Sequence, residues 1–415
     1  MAESRRKNLL LLIPNLDFGG AQRAFYFMST ELAKRYNVIE CAFNTEGGIA
    51  FPTGNPLLTL DVPGGQSVLA KALNFRRRVA RLRALKREHR IDVTISQLAG
   101  ADYVNLLAGA GDRRIVLVQG SRTAPDTNVT GVNRLLQNRV MIPWLYRRAD
   151  HVAVVSRDIV TEMTDAFGLP AARVRVVHNC VDLATVLPKA AEPIEPAFQA
   201  LFDAFPILIT SGRLAEQKNQ QPLLDVHAGL KATGSPAKLV LLGDGHLREP
   251  LLAHARALGL RVWTAWDGAA VGPEYDVYFL GFQANPFKYL AKADLFVFPS
   301  DFEGFSLALI EALGCGLPIA STDCPTGPRE LLAPASATPA TALRTAEFGE
   351  YGVLLPLLNN AATRAADVRT WTAALQRLLT DDVLRASYAA KAPDCAAEFD
   401  LSRYLAKWEA LIEEA

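Results

Sequence analysis

Short apolar runs, each broken by a glycine-bearing polar loop, recur along the whole chain. Asn8 to Ile13, Val38 to Phe43, Ile91 to Ser96, Ile115 to Val118, His151 to Val155 and Val174 to Val177 form a first series. Ile207 to Thr210, Leu239 to Leu242, Val277 to Leu280, Leu295 to Pro299 and Pro318 to Ser321 form a second. Strands without polar alternation are buried on both faces, as in a parallel sheet covered by helices. Between the runs the apolar positions shift to helical spacing, as over Val68 to His89 and Ser306 to Leu313. A last helix starts at Ser402 and sets Tyr404, Leu405, Trp408, Leu411 and Ile412 on one side. This alternation predicts an α/β, doubly wound architecture. The proline-bearing stretch Lys189 to Phe198 reads as a linker, and Ala333 to Phe348 as a surface loop.

At 415 residues the chain exceeds one ordinary core and predicts two domains. A formal net charge of +1 makes no global case for a nucleic-acid partner. Five scattered cysteines without a C-x-x-C argue against a disulfide framework or a zinc site. The opening MAESRRKNLLLLIP imitates a secretory signal, but Leu9 to Ile13 is too short for its apolar core and Pro14 follows. No run approaches a membrane span. A cytoplasmic protein, soluble or peripheral on the cytoplasmic membrane, is expected.

The stretch Leu295 to Leu332 carries the densest chemistry. A buried strand breaks into Ser300-Asp301-Phe302-Glu303-Gly304-Phe305, then a helix runs from Ser306 and a second buried strand follows. In open α/β sheets ligands bind outside the carboxyl ends of the strands. Glu303 stands directly before the free N–H groups of a helix start, an anion-binding arrangement. Glu311 lies eight residues on, inside a dense apolar run where a carboxylate needs a partner. A hydroxylated ligand is one such partner. One loop acid and one unrelated helix acid is the competing reading.

Other loops repeat the pattern. Asn15 to Arg23 carries Gly19 and Gly20 before a helix, either a close approach to a phosphate or a simple tight turn. It is not the dinucleotide G-x-G-x-x-G. Gln119 to Pro125 follows a strand and contains Arg122. Gly212, Arg213 and Lys218 place two cations five residues apart, able to grip a diphosphate or merely exposed. Gly243-Asp244 and Gly281-Phe282 follow the next strands. His178 reads as structural. Helix 74–90 holds eight cations in seventeen residues beside a stripe of Phe75, Val79, Leu82 and Leu85. Its basic face is either solvated or a contact for anionic lipid or an acceptor pyrophosphate.

Glu303 and Glu311, with seven residues between them, resemble the E-x7-E signature of retaining glycosyltransferases of family 4, with the GT-B fold. The resemblance runs through most of the chain, including the block PSDFEGFSLALIEALGCGLPIASTDCPTGPREL. Its CPTGP segment is similar to bacterial enzymes of lipopolysaccharide cores and lipid-linked oligosaccharides. The resemblance implies two Rossmann-like domains facing across a cleft: an acceptor domain over 1–183 completed by helix 400–415, and a nucleotide-sugar domain over 184–399. It implies transfer of a hexose or N-acetylhexosamine from a UDP-sugar, without metal or other cofactor. Glu303 would contact sugar hydroxyls, Glu311 the ribose, and Arg213 and Lys218 the leaving diphosphate. Gly212, Gly304, Phe305, Ser306 and Leu307 would complete that loop. Gly243, Asp244 and Phe282 would wall the base and ribose, and Gly19-Gly20 would cover the diphosphate. Many relatives carry a His in the Arg122 loop and this chain does not, so Arg122 would meet the acceptor or the phosphate. The implied partners are a UDP-sugar, a lipid-linked glycan acceptor and, through helix 74–90, an anionic membrane. A sugar-nucleotide epimerase, a phosphorylase or a non-catalytic nucleotide-sugar-binding protein are the competing classes.

Overall fold

The structure, a computed structural model, describes residues 5–17, 19–65, 67–123, 135–339 and 341–414. The chain forms two compact units, Met1–Asn179 with Tyr404–Ala415, and Cys180–Arg403.

Among the described residues the first unit holds a seven-stranded sheet. Its strands are β1 (Asn8–Ile13), β2 (Asn37–Ala42), β3 (Leu57–Thr59), β4 (Val93–Gln97), β5 (Arg113–Val118), β6 (His151–Val154) and β7 (Val174–Val176). Their order is β3-β2-β1-β4-β5-β6-β7, every pair parallel. Leu9 through Ile13 are wholly buried, as a strand covered on both faces requires. Edge strand β3 lies within a stretch rich in glycine and proline, residues 44–65, and its half-buried Leu-Leu-Thr gives no strand signal. Ser67 caps helix Val68–Glu88 by accepting from the Ala70 N–H. That helix lays Leu82, with Phe75, Val79 and Leu85, against Leu10, Leu12 and Val104. The last helix, Leu401–Glu413, buries Tyr404, Trp408, Leu411 and Ile412. The Lys7 Nζ donates to the Ile412 carbonyl at 2.8 Å, and Arg113 to that of Leu411 at 3.2 Å. These bonds satisfy carbonyls that a helix end otherwise leaves open.

The second unit contains β8 (Ile207–Ser211), β9 (Lys238–Leu242), β10 (Val262–Thr264), β11 (Val277–Gly281), β12 (Leu295–Phe298), β13 (Ile319–Thr322), β14 (Glu347–Phe348) and β15 (Val353–Leu355). Their order is β10-β11-β9-β8-β12-β13-β15-β14, parallel except for the β14–β15 pair. Its core joins Leu208, Leu239, Phe279 and Val297 to Trp371 and Leu375 of helix Arg364–Thr380. The expected linker is helical: Leu183–Ala190 is followed by Pro196–Ala204, with Pro196 in the first turn. A helix start has spare N–H positions, so a proline there is accepted rather than disruptive. Both sheets contain a central strand at which the chain order reverses. β1 lies between β2 and β4, and β8 lies between β9 and β12.

Candidate functional site

The loops leaving β8, β9, β11 and β12 converge at the carboxyl edge of the second sheet, where ligand crevices form in this architecture. Gly212 donates its N–H to the Leu242 carbonyl at 2.9 Å, and Leu214 donates to Asp244 at 3.0 Å. The two loops press so closely that a Cβ on Gly243 would stand 2.0 Å from the Gly212 oxygen. Gly243 also has φ +132°, open to glycine and strained for other residues. Asp244 is tied locally, accepting from the Gly245 N–H at 2.7 Å and facing the Arg248 Nε at 3.3 Å. Phe282, just beyond β11, is 73% exposed, a bare aromatic face at this edge.

Lys218 and Glu303 meet here. The Nζ lies 2.6 Å from the Glu303 Oε1 and 5.0 Å from the centre of the Phe298 ring. The Lys218 stem runs along Gly212, its Cε 3.4 Å from where a Cβ would stand. The two loops are stitched by backbone and amide bonds. Asp301 donates its N–H to the Gln217 carbonyl at 2.9 Å, and Gln217 Nε2 donates to the Phe302 carbonyl at 2.9 Å. Asn219 donates to Asp301 at 2.8 Å, from a left-handed backbone (φ 49°) that Asn tolerates. Burial pushes the Asp301 carboxyl up to about 6, against Arg364, Asn359 and Asn219. The Asn219–Asp301 bond, next in the chain to Lys218, was not legible in the sequence because it spans 82 residues. Arg213 is exposed and lies within electrostatic reach of Glu216.

Beyond Glu303, Gly304 and buried Phe305 lead to Ser306, the extended N-cap of helix Leu307–Gly314. Phe305 packs on Phe399 with ring centres 5.0 Å apart. The Thr326 hydroxyl donates to the Glu303 carbonyl, and Gly327 approaches Gly304 so closely that a Cβ would sit 3.1 Å from its oxygen. This is how the CPTGP segment buttresses the Glu303 loop. Glu311 is buried on the second turn. The Cys315 thiol is pushed up to about 12 by burial, with the Glu311 charge adding to it.

In the first unit, Gly19 is extended and Gly20 opens helix Gly20–Leu32, whose first turn has no side-chain cap and no acid. Phe18 of that loop, and Ala124 and Pro125 of the Arg122 loop, lie outside the described residues. Arg122 is not presented as an open cation. Its guanidinium lies 3.0 Å from Asp102 and donates to the Tyr146 hydroxyl at 3.2 Å. Tyr146 donates to the same Asp102 oxygen at 2.8 Å. Burial pushes Asp102 up to about 6, against Arg122 and the hydroxyls of Tyr146 and Ser96. His178 faces Lys407 at 3.3 Å, within this unit.

The basic helix divides its cations. Arg78 donates to the Val62 carbonyl, Arg81 to Leu60 and Asp61, and Arg83 to Leu107. Lys86 is fully buried, 2.7 Å from Asp112. Arg76, Arg77, Arg87 and Arg90 remain exposed along with Arg81. Among the described residues no three His, Cys, Asp or Glu converge in a way that could hold a metal ion.

Two sequence models match the chain: Glycosyltransferase Family 4 over residues 18–185, and Glycosyl transferases group 1 over residues 205–381. A Campylobacter jejuni N-acetylgalactosamine-N,N'-diacetylbacillosaminyl-diphospho-undecaprenol 4-alpha-N-acetylgalactosaminyltransferase is 30% identical, over 95% of this chain and 96% of its own. A Salmonella typhimurium lipopolysaccharide 1,6-galactosyltransferase is 29% identical over 44% of this chain and 45% of its own. Among solved structures, Anabaena HepE in complex with UDP and glucose superposes with a TM-score of 0.73 at 19% identity, covering 99% of this chain and all of its own. That likeness carries the fold.

Proposed function

Because the chain belongs to glycosyltransferase family 4 and is a GT-B glycosyltransferase, we propose that it moves a hexosyl or N-acetylhexosaminyl group from a UDP-sugar to a lipid-linked or cell-envelope glycan, with retained configuration. The observation that carries this reading is the Lys218–Glu303 pair at the strand-order reversal of the second sheet, with exposed Arg213 beside it. Two cations and one carboxylate within one stitched loop pair suit a diphosphate joined to a hydroxyl-rich ring. Arg213 and Lys218 take up charge growing on the diphosphate as the bond from the anomeric carbon to its oxygen breaks. Glu303 accepts from sugar hydroxyls, and Glu311 from those of the ribose. The acceptor oxygen bonds the anomeric carbon on the face the diphosphate leaves, and the acceptor proton passes to the departing diphosphate. No protein nucleophile and no metal enters this scheme. The UDP bound to HepE and the undecaprenol-linked glycan in the Campylobacter relative's name support these choices of donor and acceptor. An anionic membrane surface on the cytoplasmic side would meet the basic helix through Arg76, Arg77, Arg87 and Arg90.

The test is transfer from a panel of UDP-sugars to a polyprenyl-diphosphate-linked glycan, with the product's anomeric configuration read by NMR. Donors are first ranked by thermal stabilisation, since a bound ligand raises apparent stability by mass action. An α-linked product from an α-linked donor is expected, at a rate a chelator leaves largely intact. An inverted product overturns the retaining assignment. Loss of activity restored by magnesium or manganese overturns the two-cation account.

A further inference from the structure

We propose that Thr326 is a positioning residue for the transfer step: its hydroxyl, carried on a strained left-handed backbone, fixes the Glu303 carbonyl and with it the direction of the Glu303 carboxylate. This rests on the reading of Glu303 as the group that meets the donor sugar. Ser300 to Glu303 belong neither to β12 nor to the helix that starts at Leu307, so regular structure supplies no partners for their carbonyls. Side chains supply them instead. The Thr322 hydroxyl donates to the Ser300 carbonyl at 2.5 Å, Gln217 Nε2 to that of Phe302 at 2.9 Å, and the Thr326 hydroxyl to that of Glu303. Thr326 and Glu303 are both buried, where a carbonyl without its donor is costly. The carbonyl and the side chain of Glu303 share one α-carbon, so holding the first limits the swing of the second.

The backbone sets this contact apart from an ordinary loop fastening. Thr326 has φ +65°. Among the described residues Asp61, Arg90, Leu98, Asn219 and Thr326 are the residues other than glycine with positive φ, and Thr326 alone of them is β-branched. That conformation is strained for a branched side chain and open to glycine. The next residue, Gly327, has φ +96°. A second glycine at 326 would make the turn with less strain, so what threonine adds is the hydroxyl. Strain of this kind persists only where neighbours over-determine it. Buried Arg329 donates to both Asp323 oxygens, at 3.0 and 2.8 Å, closing the turn across six positions with Thr326 at its midpoint. The same guanidinium donates to both Glu347 oxygens, at 3.0 and 2.9 Å, and so ties the turn to edge strand β14. At one residue, therefore, the backbone loses stability and the site gains a fixed carboxylate.

Thr326→Gly removes the hydroxyl and the strain together, whereas Thr326→Ser keeps the hydroxyl without the branch. In urea melts of the full chain, the midpoint of Thr326→Gly should equal or exceed that of the parent, because relief of strain offsets the lost bond. Its kcat for sugar transfer should nevertheless fall about tenfold or more, with UDP affinity by calorimetry within about twofold, and Thr326→Ser should restore the rate. Lys218 reports on the carboxylate without any substrate, since its Nζ lies 2.6 Å from the Glu303 Oε1. An amine-acylating reagent, with the labelled peptides quantified by mass spectrometry, should modify Lys218 faster in Thr326→Gly than in the parent or Thr326→Ser, approaching the rate in Glu303→Gln. Parent-like labelling of Lys218 in Thr326→Gly overturns the proposal, and so does a parent-like kcat or a lowered urea midpoint. A parent that transfers nothing from any UDP-sugar overturns the transfer reading instead, and the labelling of Lys218 then decides by itself whether Thr326 sets the Glu303 carboxylate.

Discussion

Lys218 and Glu303 constrain each other at 2.6 Å, so neither can be altered without changing what the other presents. Glu303→Gln keeps the side chain's size and leaves the Lys218 charge unopposed. UDP affinity by calorimetry should hold or rise, while turnover falls at least about tenfold. Equal losses in both would detach Glu303 from the sugar. Lys218→Ala leaves a nearly buried carboxylate without its cation and removes one of the two cations proposed to hold the diphosphate. Its transition-state cost should be about 2–4 kcal/mol, with UDP binding weakened as well. Glu311→Gln should act the other way, loosening UDP before it slows transfer. Gly243→Ala drives a Cβ to 2.0 Å from the Gly212 oxygen and should dismantle the two-loop junction. The expected loss is about 2 kcal/mol or more in a urea melt, together with loss of UDP-induced stabilisation.

At the scale of elements, helix Val68–Glu88 shows how one basic sequence serves several ends. Burial pushes Lys86 down to about 8, with Asp112 opposing the shift. Its ammonium also donates to Asn105 at 2.7 Å, while Thr94 donates to Asp112 at 2.7 Å. Lys86→Met strands that carboxylate and should cost about 3–5 kcal/mol, whereas Arg87→Gln, one residue on and exposed, should stay within about 0.5 kcal/mol. Denaturant midpoints of the two variants decide this directly. Neutralising Arg76 and Arg77 should reduce vesicle binding without altering the melt. The effect should be steepest at low salt, since exposed charges are screened beyond a Debye length of about 8–10 Å.

For the whole molecule, acid should weaken the second unit through a buried histidine. His227 is buried with its Nε2 3.0 Å from the Asp276 carbonyl. Burial pushes the imidazole from 6.5 down to about 4, with Asp276 opposing. The unfolded chain takes up this proton at a higher pH than the folded one. The stability that neutral His227 permits is therefore complete above pH 6.5 and is lost as pH falls toward 4. The loss is up to about 3 kcal/mol, and denaturant melts of wild type and His227→Gln between pH 7 and pH 4 should show a flatter decline in the variant. The first unit answers to a different element. Trp408 of the C-terminal helix is fully buried there, and Trp408→Ala should cost about 3–5 kcal/mol in that unit.

What the sequence determined by itself was local. Apolar runs without alternation specify parallel strands covered on both sides, and 3.6-residue spacing specifies the helices between them. The E-x7-E acids, the Gly212-Arg213-Lys218 loop and the CPTGP segment are short local strings, so the family was legible from them. Short edge strands such as β3 carried too few buried residues to register, and prolines at helix starts looked like a linker because the same ring suits both. The tertiary structure alone decided which charges are open. Arg122 is drawn to Asp102 and Tyr146, and Lys86 to Asp112, while Arg76 and Arg213 stay exposed. Each of the two pairings joins residues at least twenty apart in the chain. It also depends on burial, which makes an unpaired charge costly and a solvated one nearly neutral. The Lys218–Glu303 pairing, across 85 residues, is of the same kind. A sequence states what a side chain is, and only the fold brings the atom it must satisfy within reach.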